Sequence, residues 1–395
     1  MQVDKIQGSL YKKVCSFENL YQAFLKAGRR KGSNQEALKF EYDLEKRLFC
    51  LKESLEGLTY QPRPLREVKV CEDRRKRFVV PAFSDRVVQQ ALLSVISPVF
   101  EKGFIFDSYS FRPGKGTHFA LRRFDEFKRK VSPRRFPNAG FILKADIKDY
   151  YPSIDRSILV RLIREKIADE GIIWLLEKFI NLKTKDKGIS IGNPLSQLFA
   201  NIYLNELDYF IKQALREKFY LRYADDFVVL NRRLKPLLKT KQRIKGFLKA
   251  RLHLELNPHK TRIVFTNSGV DLLGYRIFYF HRLIRKRNLG AFKTKLKTWQ
   301  EDRREGRLST AKLGEKIRGW VEYARYANSY KLRKRLLCRK FTTVGVRAIK
   351  KEITSPHSFL PHNYQGRVDY KDFENFLDDY YHGRTQEENL AGWSC

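Results

Sequence analysis

Two apolar runs, FYLRY (residues 219–223) and FVVL (227–230), are separated by Ala224, Asp225 and Asp226 alone. So short a connector makes each run the nearest partner of the other. They therefore read as an antiparallel hairpin, although the usual Asn-Gly turn is missing. Neighbouring side chains in a regular strand point to opposite faces, but at a hairpin tip two acids can converge. Like charges that close destabilise each other unless a cation neutralises them. A further apolar run, FILKAD, carries another acid, Asp146, at its C-terminal end. Three aspartates from neighbouring strands make a hard oxygen site suited to Mg²⁺, which keeps several waters and shares substrate phosphates. Two such ions, roughly 3.5–4 Å apart, are the general device for in-line phosphoryl transfer. An Asp-Asp turn on its own is usually solvated surface, so its company decides.

That company is strongly basic. Among 395 residues, Lys and Arg number 81 against 44 Asp and Glu, a formal net charge of +37. Such an excess repels itself in a compact body, so a polyanionic partner is expected, nucleic acid first and an anionic membrane surface second. Aromatic residues at 13% exclude a wholly disordered chain. The apolar runs are too short to span a bilayer, and MQVDKIQGSLYKK lacks the apolar core of a signal peptide. The five cysteines, Cys15, Cys50, Cys71, Cys338 and Cys395, form no CxxC pair. They read as neither a zinc site nor a disulfide framework, which fits a reducing cytoplasm. No GxxxxGK[ST] stretch and no repeat of 20–50 residues is present. From Glu352 onward the balance reverses, with 8 acids against 3 bases in an aromatic tail.

The local patterns describe an α+β chain. Residues 15–57 show helical periodicity. FVVPAF reads as a short strand, and a helix follows with Ser84 or Asp85 as its N-cap. RSILVRLIREKI, IIWLLEKFI and LSQLFANIYLNELDYFIKQAL read as helices, and VDLLGYRIFYF as a strand region. The basic stretch from His281 to Arg347 reads as helices broken near Gly306. Trp299 and Trp320, at helical spacing there, read as core before they read as base-stacking platforms.

FRPGKGTH (111–118), DIKDYYPSID (146–155), IGNPLSQ (191–197), YADD (223–226), LNPHKT (256–261) and LGY (273–275) occur in this order. The ordered set, over about residues 15–345, resembles the reverse transcriptases. The resemblance implies a right-hand polymerase: an N-terminal helical segment (1–60), fingers and an antiparallel palm sheet flanked by helices (61–280), a basic helical thumb (281–351), then the acidic tail (352–395). It implies two Mg²⁺ ions, with Mn²⁺ a possible substitute, held by Asp146, Asp225, Asp226 and the Ile147 carbonyl. Lys76, Arg77 and Lys260 match residues that handle the triphosphate of an incoming dNTP, a task suited to a point charge and a planar fork. Tyr151 matches an aromatic gate against the ribose 2′-OH. Leu273, Gly274 and Tyr275 match a primer grip, where glycine permits close backbone approach. Arg112, Lys115, Arg122, Arg123, Lys128 and Arg129 are the expected contacts to template RNA and primer or cDNA, made mainly to phosphates.

Two positions depart from the common pattern of the fourth motif: Ile191 stands where most members have Gln, and Gln197 where most have Pro. In this IGNPLSQ form, and in GWVEYARYANSYKLRKRLL (319–337), the chain is similar to the enzymes of diversity-generating retroelements. The resemblance implies low fidelity opposite template adenine, a structured cognate RNA and a small accessory RNA-binding protein. Ile fills space where Gln hydrogen-bonds, so mispairs are rejected less strongly. YADD itself is commoner in group II intron proteins, and a divergent C-terminal extension is commoner in antiphage enzymes. An antiphage enzyme using its own non-coding RNA is the alternative. A non-catalytic RNA-binding protein on the same fold is opposed by the complete acidic triad, and an RNA-making polymerase by Tyr151. A bacterial or phage-encoded, cytoplasmic protein without membrane attachment is the expectation.

Overall fold

The computed structural model describes residues 10–28, 35–69, 77–133, 135–136, 139–182, 187–190 and 192–338, with 67–69, 77–79 and 338 described by backbone alone. These fall into two compact units that meet in sequence at Thr266 and Asn267.

The first unit opens with helices α1 (Leu10–Cys15), α2 (Phe17–Gly28), α3 (Gln35–Tyr42) and α4 (Leu44–Glu56). Their periodic apolar residues, among them Leu20, Phe24, Phe40, Leu48 and Leu55, are buried in the main core. Strands β1 (Arg66–Lys69) and β2 (Arg77–Val80) pair antiparallel. Pro81, which has no N–H to give, follows directly. Helix α5 (Phe83–Glu101) starts earlier than expected: its N-cap is Ala82, not Ser84 or Asp85, and no side chain caps it. Asp85 lies inside the helix with other work. Its carboxylate accepts the Tyr60 hydroxyl at 2.6 Å and the Arg63 N–H at 3.0 Å.

The rest of the unit is α6 (Thr117–Val131), β3 (Phe141–Asp146), α7 (Tyr150–Ser153), α8 (Arg156–Arg164), α9 (Glu170–Ile180), α10 (Pro194–Tyr209), β4 (Tyr220–Tyr223), β5 (Asp226–Asn231), α11 (Leu234–Leu252) and β6 (Arg262–Phe265). The start of α10 is written in IGNPLSQ. The Asn193 side chain accepts the Leu195 N–H, and Pro194 takes the first helical position, where no N–H is needed.

The four strands form one antiparallel sheet in the order β4-β5-β3-β6. The register sets Asp146 opposite Asp226 and Ala145 opposite Phe227. Paired residues share a face, so Leu143, Ala145, Tyr220, Arg222, Phe227 and Val229 lie on one side. Five of these six join the main core. Lys144, Asp146, Leu221, Tyr223, Asp226 and Val228 lie on the other. Helices α6 and α11 pack against the sheet. This is the antiparallel sheet flanked by helices that the sequence implies.

The second unit has a three-stranded antiparallel sheet, β7 (Val270–Leu272), β8 (Tyr275–Ile277) and β9 (Arg282–Ile284), and helices α12 (Lys286–Arg304), α13 (Thr310–Ala324) and α14 (Tyr330–Arg333). The basic region is thus not helical from His281. Arg282–Ile284 is a strand because β8 offers it a ladder and all three of its residues are buried. The break near Gly306 falls where expected, between α12 and α13. Trp320 stacks on Phe292 with ring centroids 3.7 Å apart, and Lys316 Nζ lies 5.2 Å from the Trp299 ring. Among the described residues no helix is long and apolar enough to cross a membrane.

Candidate active site

The hairpin between β4 and β5 turns through Ala224 and Asp225, with Tyr223 paired to Asp226. Ala224 has φ +55°, a left-handed conformation that a residue with a Cβ seldom adopts. Two-residue hairpins need a positive φ at their first central position to match the twist of the strands. Glycine usually supplies it, so the turn here holds backbone strain beside the acids.

Asp146 ends β3 directly across from Asp226, the least comfortable place for two like charges. Two lysines compensate. Lys144, diagonal to Asp226 on the same face, brings Nζ to 3.4 Å from its Oδ1. Lys260 Nζ donates to both Asp146 oxygens, at 3.0 and 3.1 Å. Burial first, then the charges of Asp226 and Asp146, push Asp225 up to about 6, with Lys260 pulling the other way. Asp226 is also raised, by burial first and by Asp146, against the pull of Lys144. The hydrogen bond to Asp146 is the main cause that raises Lys260.

Lys260 reaches the site because LNPHKT runs beside the end of β3. Ile147 bridges Leu256, the Lys148 N–H donates to the Glu255 carbonyl at 2.9 Å, and the Asn257 N–H donates to the Asp146 carbonyl at 2.8 Å. These bonds use the carbonyl of Asp146 rather than that of Ile147. Asn257 then folds the loop back: its side chain accepts the His259 N–H, and its carbonyl accepts the N–H groups of Lys260 and Thr261.

Tyr151 follows in α7, half-buried, its ring 5.5 Å from that of the buried Tyr150. Burial first, then the charge of Asp225, pushes its hydroxyl up to about 12. The Tyr151 carbonyl accepts the Ile189 N–H at 3.0 Å, which ties the segment before IGNPLSQ to this aromatic. Gln197 lies half-buried in the first turn of α10.

The expected contacts to nucleic acid divide into two groups. Arg112 donates to Glu101 and to the carbonyls of Ile105 and Ser108. Arg123 is paired with Asp107 and Glu126, and Lys128 is buried beside Asp125. Lys115 lies 3.5 Å from the Phe106 ring centroid and donates to the Phe106 carbonyl. Arg122 and Arg129, on the same helix α6, are exposed. Thr117, which opens α6, shares a hydrogen bond of 3.1 Å with the Tyr223 hydroxyl, linking FRPGKGTH to the acidic hairpin. Lys76 and Ile191 lie outside the described residues, as does the acidic tail. Of Arg77 the backbone is described, opposite Lys69. Leu273, Gly274 and Tyr275 belong to the second unit. Leu273 and Gly274, at φ +51° and +93°, are the two central residues of the β7–β8 turn.

The donor set of the triad suits a hard divalent cation. It is all oxygen and mutually repelling, with Asp146 buried and Asp225 and Asp226 half-buried, and Asp226 Oδ1 accepts no hydrogen bond although the Lys144 ammonium lies 3.4 Å away. In the observed arrangement lysines carry the compensating charge, and among the described residues no three acidic, His or Cys side chains stand at metal-binding spacing.

Lys144 is not among the residues that the sequence singles out, and neither is a network on the other face of the same hairpin. Arg222 is fully buried, with its guanidinium bound bidentately by Asp208 of α10. A lone arginine inside the apolar run YLRY was the available signal.

The chain is similar to a described family and to several known proteins. The profile of the family described as reverse transcriptase (RNA-dependent DNA polymerase) matches residues 69–277. The chain is 29% identical over 283 residues to Protein YkfC of Escherichia coli (strain K12), covering 61% of this chain and 72% of that protein. It is 27% identical over 279 residues to the group II intron-encoded protein LtrA of Lactococcus lactis subsp. cremoris, covering 66% of this chain and 45% of LtrA. The chain therefore spans less than half the length of LtrA. A solved telomerase from Candida albicans, in complex with a fragment of telomeric RNA, matches 81% of this chain and 58% of its own at 12% identity, with a TM-score of 0.47. With more than half of the chain inside the family profile, and all three acids of the hairpin site within it, this protein belongs to the reverse transcriptase (RNA-dependent DNA polymerase) family.

Proposed function

We propose that the chain copies a structured cognate RNA into cDNA, and that it is the error-prone polymerase of a diversity-generating retroelement. The observation that carries the polymerase reading is the pairing of Asp146 with Asp226 across the sheet, two acids 80 residues apart in sequence, with Asp225 next to Asp226 in the turn and Lys260 beside Asp146. In this reading the three carboxylates, with the Ile147 carbonyl, hold two divalent ions, Mg²⁺ in the cell and Mn²⁺ as a substitute. When bound, such ions neutralise charge at the reacting phosphate and lower the pKa of the attacking hydroxyl. Lys260, which donates to both Asp146 oxygens, would have to release them for the ions to bind, and its ammonium would then be available to a phosphate. Tyr151 closes the nucleotide site against a 2′-OH. Lys76 and Arg77 grip the triphosphate, and the exposed Arg122 and Arg129 meet template or primer phosphates. Fingers and palm span residues 61–280, which takes in the β7–β8 hairpin of the second unit, and the basic helices that follow act as thumb.

The retroelement programme rests on Ile191 and Gln197 in the fourth motif, and it brings with it a small accessory RNA-binding protein. A second reading, an intron-type enzyme, is favoured by the similarity to LtrA. An antiphage enzyme with its own non-coding RNA is the third.

The test is to purify the protein with the RNA it holds, add Mg²⁺ and labelled dNTPs, and sequence RNA and product. Wild type, Asp225→Ala/Asp226→Ala and Ile191→Gln are compared. Product that needs the aspartates, carries errors opposite adenine and becomes more faithful in Ile191→Gln supports the full reading. Faithful product from intron RNA supports the intron-type enzyme, and repetitive or homopolymeric product the antiphage one. Equal silence of wild type and double variant, with RNA and primer both present, overturns the polymerase reading.

A further inference from the structure

Asp146 and Asp226 occupy one face of the sheet, and Arg222 enters the core from the other. All five N–H groups of its guanidinium are engaged. Nε donates to Asp208 Oδ1 at 2.8 Å. One Nη donates to Asp208 Oδ2 at 2.6 Å and to Ser108 Oγ at 3.2 Å. The other donates to Asn201 Oδ1 and to the carbonyl of Ala224, both at 3.0 Å. Asn201 and Asp208 sit two turns apart on one face of α10. Each is held in turn: the Asn201 amide donates to the Ser110 carbonyl, and Asp208 accepts the Tyr220 hydroxyl at 2.5 Å. Arg222 and Asp208 are both 0% exposed, so solvent does not weaken this frame.

The bond to Ala224 has a purpose the others lack. Ala224 is the left-handed residue of the acidic turn, at φ +55°, immediately before Asp225. A charge-assisted bond to its carbonyl opposes relaxation of the peptide toward a commoner conformation. We infer that Arg222 is a positioning residue: through the Ala224 carbonyl it fixes the strained turn that presents Asp225 and Asp226 to divalent metal. The inference rests on those aspartates being the metal-holding acids.

Arg222→Lys keeps a buried cation against Asp208 but has no second arm for Ala224. Arg222→Met/Asp208→Asn removes the charge pair together, so that no buried charge is left unpaired, and keeps an acceptor for Tyr220. Thermal melts and circular dichroism establish folding, calorimetry follows binding of Mn²⁺ alone, and steady-state extension separates kcat from KM. Both variants are expected to fold, to bind Mn²⁺ about ten- to a hundredfold more weakly, and to lose kcat by a similar factor with KM for dNTP within about twofold. Folded variants with wild-type Mn²⁺ affinity and kcat overturn the inference. Failure of both to fold also overturns it, because Arg222 then serves the core and not the turn. An Asp225→Ala/Asp226→Ala control that binds Mn²⁺ and extends primer like the wild type shows instead that the site reading itself is wrong.

Discussion

At the scale of single residues, the site is built from groups that are uncomfortable alone. Asp146 and Asp226 face each other across a ladder, Asp225 follows a strained alanine, and burial raises both hairpin acids. Strain and repulsion of this kind persist where the surroundings hold the groups in place, here Lys144, Lys260 and the buried Arg222 frame. Tyr151 is the residue for which geometry and chemistry meet most simply, since the charge of Asp225 reaches its hydroxyl. If it is the gate against the 2′-OH, Tyr151→Val should raise ribonucleotide incorporation relative to dNTP by about tenfold or more. Primer extension with paired rNTP and dNTP series measures this. An unchanged ratio would assign Tyr151 to packing alone.

Individual elements owe their ends to local chemistry. Helix α8 begins at Asp155, whose side chain accepts from the N–H groups of Ser157 and Ile158 and lies 3.1 Å from His253 Nδ1. Burial raises its carboxyl, but the Ser157 hydroxyl, which donates to Oδ1 at 2.6 Å, then His253 and the two N–H groups outweigh burial and bring it down to about 2, from 3.8. A folded value below the unfolded one means that ionised Asp155 stabilises the fold above about pH 4. That contribution fades as pH falls toward about 2. Asp155→Ala should cost about 1 kcal/mol at neutral pH, the usual loss for an N-cap. Denaturant melts at pH 7 and at the acid end of this window should show the difference shrinking, and a pH-independent difference would remove Asp155 ionisation as its cause. The β7–β8 turn makes a second case. A Cβ on Gly274 would fall 2.8 Å from the Tyr323 hydroxyl, which donates to the Gly274 carbonyl. Gly274→Ala should destabilise the second unit by about 1–2 kcal/mol from the left-handed backbone alone. A melting temperature equal to wild type would show that the turn rearranges freely.

For the whole molecule the governing fact is the net charge of +37. Binding to an RNA–DNA duplex should weaken steeply as salt rises, because each neutralised phosphate releases counterions. Arg122 and Arg129 are exposed on α6, whereas Arg112, Arg123 and Lys128 are engaged inside the protein. Arg122→Ala/Arg129→Ala should therefore reduce the slope of log K against log salt by roughly 1 for each contact removed, with little change in stability. Fluorescence anisotropy with a labelled duplex tests this, and an unaltered slope would take these two arginines off the phosphate path.

Local pattern accounts for many of the elements and for the chemistry class, although α6, α11, β1 and β6 are not among the elements it singles out. Hydrophobic period, turn length and the caps at Asn193 and Asp155 are local properties, and each is decided within a few residues. The order of motifs then carried the family. It misplaced the start of α5 and hid β9, because Asp85 is claimed by Tyr60 and Arg63, and Arg282–Ile284 by β8, all partners outside the local window. The tertiary structure alone decided which charges meet. Whether Asp146 faces Asp226 depends on register, which is set by burial on both faces of the sheet. Whether Lys260 reaches Asp146 depends on a loop paired beside β3. Arg222 reads in sequence as one cation in an apolar strand. Its five donors find acceptors on α10, on the loop at Ser108 and in the turn beyond it, and only a closed core brings those together without water.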